Sequence, residues 1–468
     1  MSSEAQKTVA IIGGGVAGMS AACALAENGF AVRLLEQRGY LGGRASSYLH
    51  PGVQETIDNC QHALFGCCTN LLGFYRRIGA EQKIHWTQAM TMIEPGGKRS
   101  ELGPVGLPAP LHGLPKLMSA HAFTLADKIA LGRAFAAMMR PMEHDTGESL
   151  AAWLARHGQT EGAIKRFWRL VIASALNAEL EEIAVPYAAK VICELFMNSA
   201  LAGSMGMSKV PLSALYAEVP AFLAARGGSV ELLAHVDGCV WHEAAQQWTI
   251  GTRTGEFLAD YVVAALPFEA MRKLMDALPQ VEAAEKLAAQ IGQHTHWPIC
   301  SVHIWFDRAI TELEHAVLLD REVHWMYNQS RLQGRAGNYI ELVISATRSF
   351  AALERNAAIA LALGELAEFF PQVRAAKVEK AALVKEVRAT FGVSPGIDTA
   401  RPAAGDAPWP HFFLAGDWTR TGWPATMESA ARSGHLAAEA VSQAAGKPQQ
   451  WLEADLKPAG LMCLLGRR

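Results

Sequence analysis

The chain has 468 residues, of which half are hydrophobic and 19% charged, enough for a large core and about two domains. Its formal net charge of -3 provides no basic footprint, which excludes nucleic acid as a partner. The eight cysteines include no C-x-x-C pair and nothing marks secretion, so reduced thiols and no metal site are expected.

Val9 to Ile12 is an apolar run suited to a buried parallel strand, and Gly13, Gly15 and Gly18 then spell G-x-G-x-x-G as the chain turns into a helix through Glu27. Gly13 permits the tight turn, Gly15 lets the backbone approach a pyrophosphate, and Gly18 lets the helix pack on the strand. Val16 and Ala17 open that helix, whose N-terminus faces the phosphates. Asn28-Gly29 closes it, Phe30 to Leu35 forms a second strand, and Glu36, followed by Gln37, stands about 20 residues downstream, where a carboxylate meets ribose hydroxyls. From Thr8 to Ala26 no residue is charged, but strand, turn and helix account for the span. No membrane crossing or signal peptide is read there, and the chain is expected in the cytoplasm.

Leu41-Gly42-Gly43-Arg44 follows, with two sites lacking side chains and a cation for a diphosphate. In this combination the sequence resembles the FAD-dependent amine oxidase and phytoene desaturase superfamily, where the dinucleotide fingerprint is followed by an acid and then GGR. The resemblance implies FAD as cofactor. It also implies an α/β (α+β) fold, a Rossmann-like FAD-binding domain with an interleaved, largely helical substrate domain.

Next come Ile57-Asp58-Asn59-Cys60-Gln61-His62 and a helix from Thr69 to Arg77. The wording Asp-Asn-x-Gln-His is similar to the squalene-associated branch, the hydroxysqualene dehydroxylases of hopanoid biosynthesis, in which glycine is expected at the place of Cys60. By that resemblance the stretch lies close to the flavin. Asp58 reads either as a buried carboxylate tied to backbone amides or as a catalytic group, and His62 as core filler or as a proton donor.

Leu107 to Pro115 is proline-rich, and Thr124 to Met139 reads as a helix with Thr124 as N-cap, Asp127 at the third helical position and Pro141 after its end. It is either an ordinary packed helix or, by the branch's similar LPAPL segment, a lipid-facing one. Helices over Ser149 to Arg156, Ala163 to Leu176 and Tyr187 to Met197 complete an all-helical block. Strands return at Ser229 to Val240, Trp248 to Arg253 and Tyr261 to Leu266. Lys209 to Gly228 matches the branch in order and spacing, and the resemblance makes Val236 a backbone contact to the adenine; a valine in a strand is otherwise core. A helix over Glu282 to Ile291, strands over Pro298 to Phe306 and Asn338 to Ser345, and a helix over Ala357 to Phe370 suggest one wall of a substrate cavity.

Phe412 to Asp417 is a short strand ending in Gly416-Asp417, and a helix runs from Ala425 to Val441. Superfamily members end this way, with the Gly-Asp by the diphosphate and ribityl chain and the helix N-terminus, here Thr426 and Met427, aimed at the flavin ring. Free N–H groups there stabilise the negative charge of a reduced flavin. Asp417 accepts ribityl hydroxyls on this reading, with a catalytic acid as the alternative. The tail ends in Leu461 to Leu465, Arg467 and Arg468, either a locally packed terminus or a contact to an anionic surface.

The expected FAD-binding domain comprises 1–105, 203–275 and 395–446; the substrate domain comprises 106–202 and 276–394, with 447–468 as tail. The resemblance implies an FAD-dependent oxidoreductase that reduces hydroxysqualene to squalene. A carotenoid-type desaturase and a non-catalytic prenyl-lipid carrier are the alternatives. An insoluble substrate makes peripheral attachment to a membrane surface, and proximity to an upstream hydroxysqualene synthase, further expectations.

Overall fold

Val9, Ala10, Ile11 and Ile12 are buried on both faces, as in a strand whose sheet is covered on both sides. The computed structural model, which describes residues 6–140 and 145–465, places them in the middle of such a sheet. Its five parallel strands run in the order Ser229–Leu232, Ala31–Glu36, Thr8–Ile12, Tyr261–Ala265 and Phe412–Ala415. Three distant parts of the chain therefore meet in one sheet. The Val16–Glu27 helix packs on the Met427–Ala444 helix so closely that a Cβ at Gly434 would fall 2.2 Å from the Ala17 carbonyl oxygen.

A second sheet has seven strands in the order Val378–Phe391, His296–Phe306, Asn338–Ser345, Trp325–Asn328, His315–Leu318, Met90–Ile93 and Arg99–Leu102. All neighbours are antiparallel except His315–Leu318 with Met90–Ile93. Between Leu111 and Met197 the described residues are helical apart from loops and an isolated bridge. Among the described residues no helix is long and apolar enough to cross a membrane.

The Thr124 cap forms as expected, as a reciprocal capping box with Asp127 at the head of Leu125–Met138; Pro141 lies outside the described residues. Two expectations are corrected in detail. The strand expected over Ser229 to Val240 is two strands in different sheets, because Leu233 takes a left-handed φ of 57° and its N–H donates to the Arg38 carbonyl. The helices expected over Ala163 to Leu176 and Tyr187 to Met197 each contain a π-helical stretch, Ile164–Ile172 and Ile192–Met197. Wide helical turns of this kind re-aim side chains and recur at functional sites.

Candidate active site

Gly13 has φ 112°, and a Cβ there would meet the Ala265 carbonyl oxygen at 2.4 Å; one at Gly18 would meet the Gly13 oxygen at 1.9 Å. Both positions are filled by backbone. Gly15 is different, because nothing lies within 4 Å of the Cβ it lacks, and it lines a cavity of about 780 Å³. The Val16–Glu27 helix begins there with no side-chain cap, so its first N–H groups are free to meet an anion. Gly42 bridges to Gly15 in parallel, and its N–H donates to the Gly14 oxygen at 2.9 Å, which lays the GGR loop along the glycine turn.

Glu36 is buried and receives the Gly14 and Arg38 N–H groups, each at 2.7 Å, which fixes its carboxylate at the cavity wall. Gln37, Val236 and its neighbours His235 and Asp237 line the same end, so the structure brings Val236 to the Glu36 side. Gly43 and Arg44 follow on the wall, and the Arg44 guanidinium pairs with Asp417 at 2.6 Å while donating to the Ala389 oxygen at 2.9 Å. Gly416, Asp417, Thr426 and Met427 line the cavity together with Gly15, Val16 and Ala17, and the Thr426 hydroxyl caps the Met427–Ala444 helix through the Ser429 N–H. Gly18 supports from behind the wall rather than lining it.

These residues fit FAD. The open position at Gly15, the uncapped helix start, an acid at the far end and a second helix N-terminus near the middle give one continuous cradle for diphosphate, ribose and ring.

His62 lines the cavity and Asp58 does not. The Asp58 Oδ1 accepts from the Ser47 hydroxyl at 2.6 Å and the Leu212 N–H at 3.1 Å, a tie between two loops, and burial pushes its pKa up to about 6. Its geometry is that of the tied, buried carboxylate. The His62 Nδ1 lies 2.6 Å from the Cys60 oxygen, so that nitrogen carries the proton and Nε2 is a lone pair. Burial lowers the pKa of His62, outweighing the Cys60 hydrogen bond that raises it, and Arg44 acts with burial. A neutral ring so held accepts a proton rather than donating one. Cys60, where glycine is expected, has no left-handed φ, so the loop needs no glycine there.

The remaining wall is largely apolar, with Met90, Val171, Leu195, Phe196, Ile299 and Val343 around a stacked Trp325–Tyr327 pair whose rings are 5.9 Å apart and 9° from parallel. Both π-helical stretches contribute to it. Beside Leu195 and Phe196 the carboxyl of Glu194 lines the cavity, its Oε2 accepting from Asn198 Nδ2 at 3.1 Å. Burial raises its pKa, and Asp455 adds to this while Lys190 opposes it. Sequence reasoning missed Glu194, although a lone acid in Ile192–Met197 was the available signal.

Two more contributors were missed. Arg401 is fully buried and donates to the Asp417, Thr419 and Thr421 oxygens between 2.6 and 3.0 Å, which holds the Gly-Asp loop. Glu341, fully buried, accepts the Gln61 N–H and the Gln329 side-chain amide, each at 2.6 Å; burial first and Asp58 second push its pKa up to about 8. Among the described residues no group of three or more His, Cys, Asp or Glu could hold a metal ion.

The family model described as flavin containing amine oxidoreductase matches residues 16–442. The chain is 26% identical to a 15-cis-phytoene desaturase from Synechococcus elongatus over 92% of its length and 95% of that protein. It is 25% identical to a zeta-carotene desaturase from Arabidopsis thaliana over 93% of its length and 85% of that protein. Among solved structures, an oxidoreductase from Methanosarcina mazei superposes with a TM-score of 0.71 at 16% identity, covering 93% of this chain and 100% of that one. Cyclohexylamine oxidase from Brevibacterium oxydans superposes with a TM-score of 0.66 at 17% identity, covering 94% and 100%.

Proposed function

The chain belongs to the flavin containing amine oxidoreductase family and is an FAD-dependent oxidoreductase, and on that premise we propose that its substrate is a long linear isoprenoid and its reaction the reduction of hydroxysqualene to squalene. FAD, when bound, supplies two-electron hydride chemistry. The observation that carries the reading is the joining, in one cavity, of the dinucleotide cradle to an apolar wall that also carries the carboxyl of Glu194, whose pKa burial raises.

Reductive dehydroxylation needs a proton on the leaving oxygen and a dry place for the allylic cation left behind. The C–O electron pair departs with water, and the carbon takes up a hydride. Glu194 is the group placed to give that proton, and burial shifts it towards the neutral acid against the opposing charge of Lys190. Trp325 and Tyr327 line the cavity, and aromatic rings stabilise positive charge on carbon. The aliphatic wall keeps out the water that would recapture the cation. The partner expected upstream is a synthase that makes the alcohol.

Carotenoid-type desaturation is the second reading. It is favoured by the phytoene and zeta-carotene desaturases among the relatives and by the proton-accepting state of His62, since desaturation removes a hydride and then a proton. The test is anaerobic. The protein's flavin is reduced with dithionite, excess reductant is removed, hydroxysqualene is added, and flavin absorbance is followed while lipids are analysed by mass. Reoxidation with one squalene per flavin is the expected result. A flavin that stays reduced, and that is instead reduced from its oxidised form by a more saturated isoprenoid, refutes dehydroxylation in favour of desaturation.

A further inference from the structure

Of the eighteen large apolar side chains that are exposed among the described residues, eight fall in two short stretches: Leu107, Leu111, Leu114, Met118, Leu125 and Ile129 in one, Leu461 and Leu464 in the other. Leu125 is 64% exposed and Leu464 85%. Hydrogen bonds join the stretches into one face. The Leu461 N–H donates to the Ala109 oxygen at 2.8 Å, and Gly460 packs against Pro108 and Ala109, where a Cβ would have no room. Lys128 Nζ donates to the Met118 oxygen at 2.7 Å, which ties the start of the Leu125–Met138 helix to the end of Leu114–Ser119.

The charge on this face is one-sided. From Pro104 to Arg133 the cations are Lys116, Lys128 and Arg133, and Lys457 joins them from the tail. Asp127, the one acid from Pro104 to Arg133, is buried and occupied by the capping box, and the tail acids are paired, Asp455 with Lys190 and Arg432 and Glu453 with Arg76. Glu101, just outside, is paired with Lys116 at 2.8 Å. Exposed leucines and a methionine on the same stretches as these cations match a bilayer with anionic headgroups better than they match water.

The tail also leads from this face to the cavity. Asp455 Oδ2 accepts from Lys190 Nζ at 3.3 Å and its Oδ1 from the Trp423 indole N–H at 3.3 Å, and both Lys190 and Trp423 line the cavity. Their cluster reaches the surface, with the Lys190 side chain 23% and Asp455 38% exposed. This cluster joins the cavity wall to the same strip of chain that ends in Leu461 and Leu464.

We propose that the Pro104–Arg133 stretch and the C-terminal tip form a docking face for an anionic lipid bilayer, set beside the Lys190–Trp423 edge of the cavity so that a membrane-dissolved substrate enters there. The purpose of the face rests on the long-isoprenoid reading, whereas the observations for it do not. Full-length holoprotein is floated with phosphatidylcholine vesicles with and without phosphatidylglycerol, alongside the variant Leu114→Glu/Leu125→Glu/Leu464→Glu. These three side chains lie outside the cavity, so flavin absorbance and turnover of detergent-dispersed substrate stay within about twofold of wild type.

The expected result is binding to the anionic vesicles that falls at least about tenfold in the variant. Failure of the wild type to bind, or equal binding by the variant, overturns the proposal. So does a wild-type dimer in light scattering that the variant dissociates, since a second copy would then cover the face. Vesicle binding without isoprenoid turnover would leave the docking face standing and refute the substrate reading instead.

Discussion

Arg44 and Asp417, 373 residues apart, form an ion pair of 2.6 Å that closes the first and last motifs of the chain on one another at the cavity wall. The Asp417 side chain is nearly buried and that of Arg44 is about one-third exposed, so the pair is partly screened. Removing one partner leaves the other charge in a desolvated place, which costs more than the pair itself contributes. Arg44→Met and Asp417→Asn are each expected to lower stability by about 1–3 kcal/mol and to release FAD. The double variant is expected to lose less than the sum. Thermal unfolding and the ratio of flavin to protein absorbance check this, and strict additivity would show that the two residues act separately.

The two glycines of the turn separate folding from cofactor binding. Gly18→Ala drives a methyl group into the Gly13 carbonyl and is expected to cost about 3 kcal/mol, the upper end for overpacking, with or without FAD. Gly15→Val has open space for its side chain and an extended backbone with φ -76°, so the apoprotein is expected to melt normally. It fills the space a diphosphate needs, and flavin content is expected to fall to near zero. Normal flavin binding by Gly15→Val would place the diphosphate elsewhere.

Glu341 gives a pH dependence with a definite sign. Unfolded, it titrates near 4.5; folded, burial moves it to about 8, so between these values the folded state holds the extra proton. Stability therefore falls as pH rises through this window and levels off above it. Asp58 adds the same trend between about 4 and about 6. His303 and His435, both pushed down to about 3 by burial, act in the opposite sense, since stability rises as pH climbs from there towards 6.5. The isolating measurement is the difference between wild type and Glu341→Gln. The variant is expected to gain on the wild type from pH 5 to pH 8 by a few kcal/mol, and parallel curves would show that Glu341 does not titrate in this range.

The cradle was legible because its signals are local. The glycines, Glu36, Gly43-Arg44 and Gly416-Asp417 each sit where a turn or a helix start demands a particular residue, and the sheet brings them together without side-chain detail. What was not legible depends on distant packing. Val378–Phe391 is a fourteen-residue strand whose charged residues on both faces hide any alternation, and it supplies Glu386 and Ala389 to the cavity. Nothing near Glu341 in sequence shows that Gln61 and Gln329 converge on it, and Arg401 reads as an ordinary surface arginine until its five-donor guanidinium is found among loop carbonyls. His62 was placed at the cavity by its motif, but its protonation state came from the Cys60 carbonyl, which only the fold reveals.

Glu194 and His62 together discriminate the two reactions. A neutral carboxyl donates a proton, and the His62 ring, with Nδ1–H fixed on a carbonyl, offers a lone pair. If the reaction is dehydroxylation, Glu194→Gln keeps the shape and the Asn198 contact but removes the acid, and kcat is expected to fall about 10²–10⁴-fold with KM little changed, the range for a lost general acid. His62→Ala is expected to have a smaller effect, because a proton acceptor is not needed before the oxygen leaves. If the reaction is desaturation, the order reverses: His62→Ala slows turnover and Glu194→Gln leaves it near wild type. Flavin spectra of both variants report whether FAD is still held, and single-turnover rates with hydroxysqualene and with a saturated isoprenoid assign the loss to one direction of hydride flow. Equal losses in both variants, with FAD retained, would mean that neither group moves the proton, and would turn attention to Glu386, which also lines the cavity.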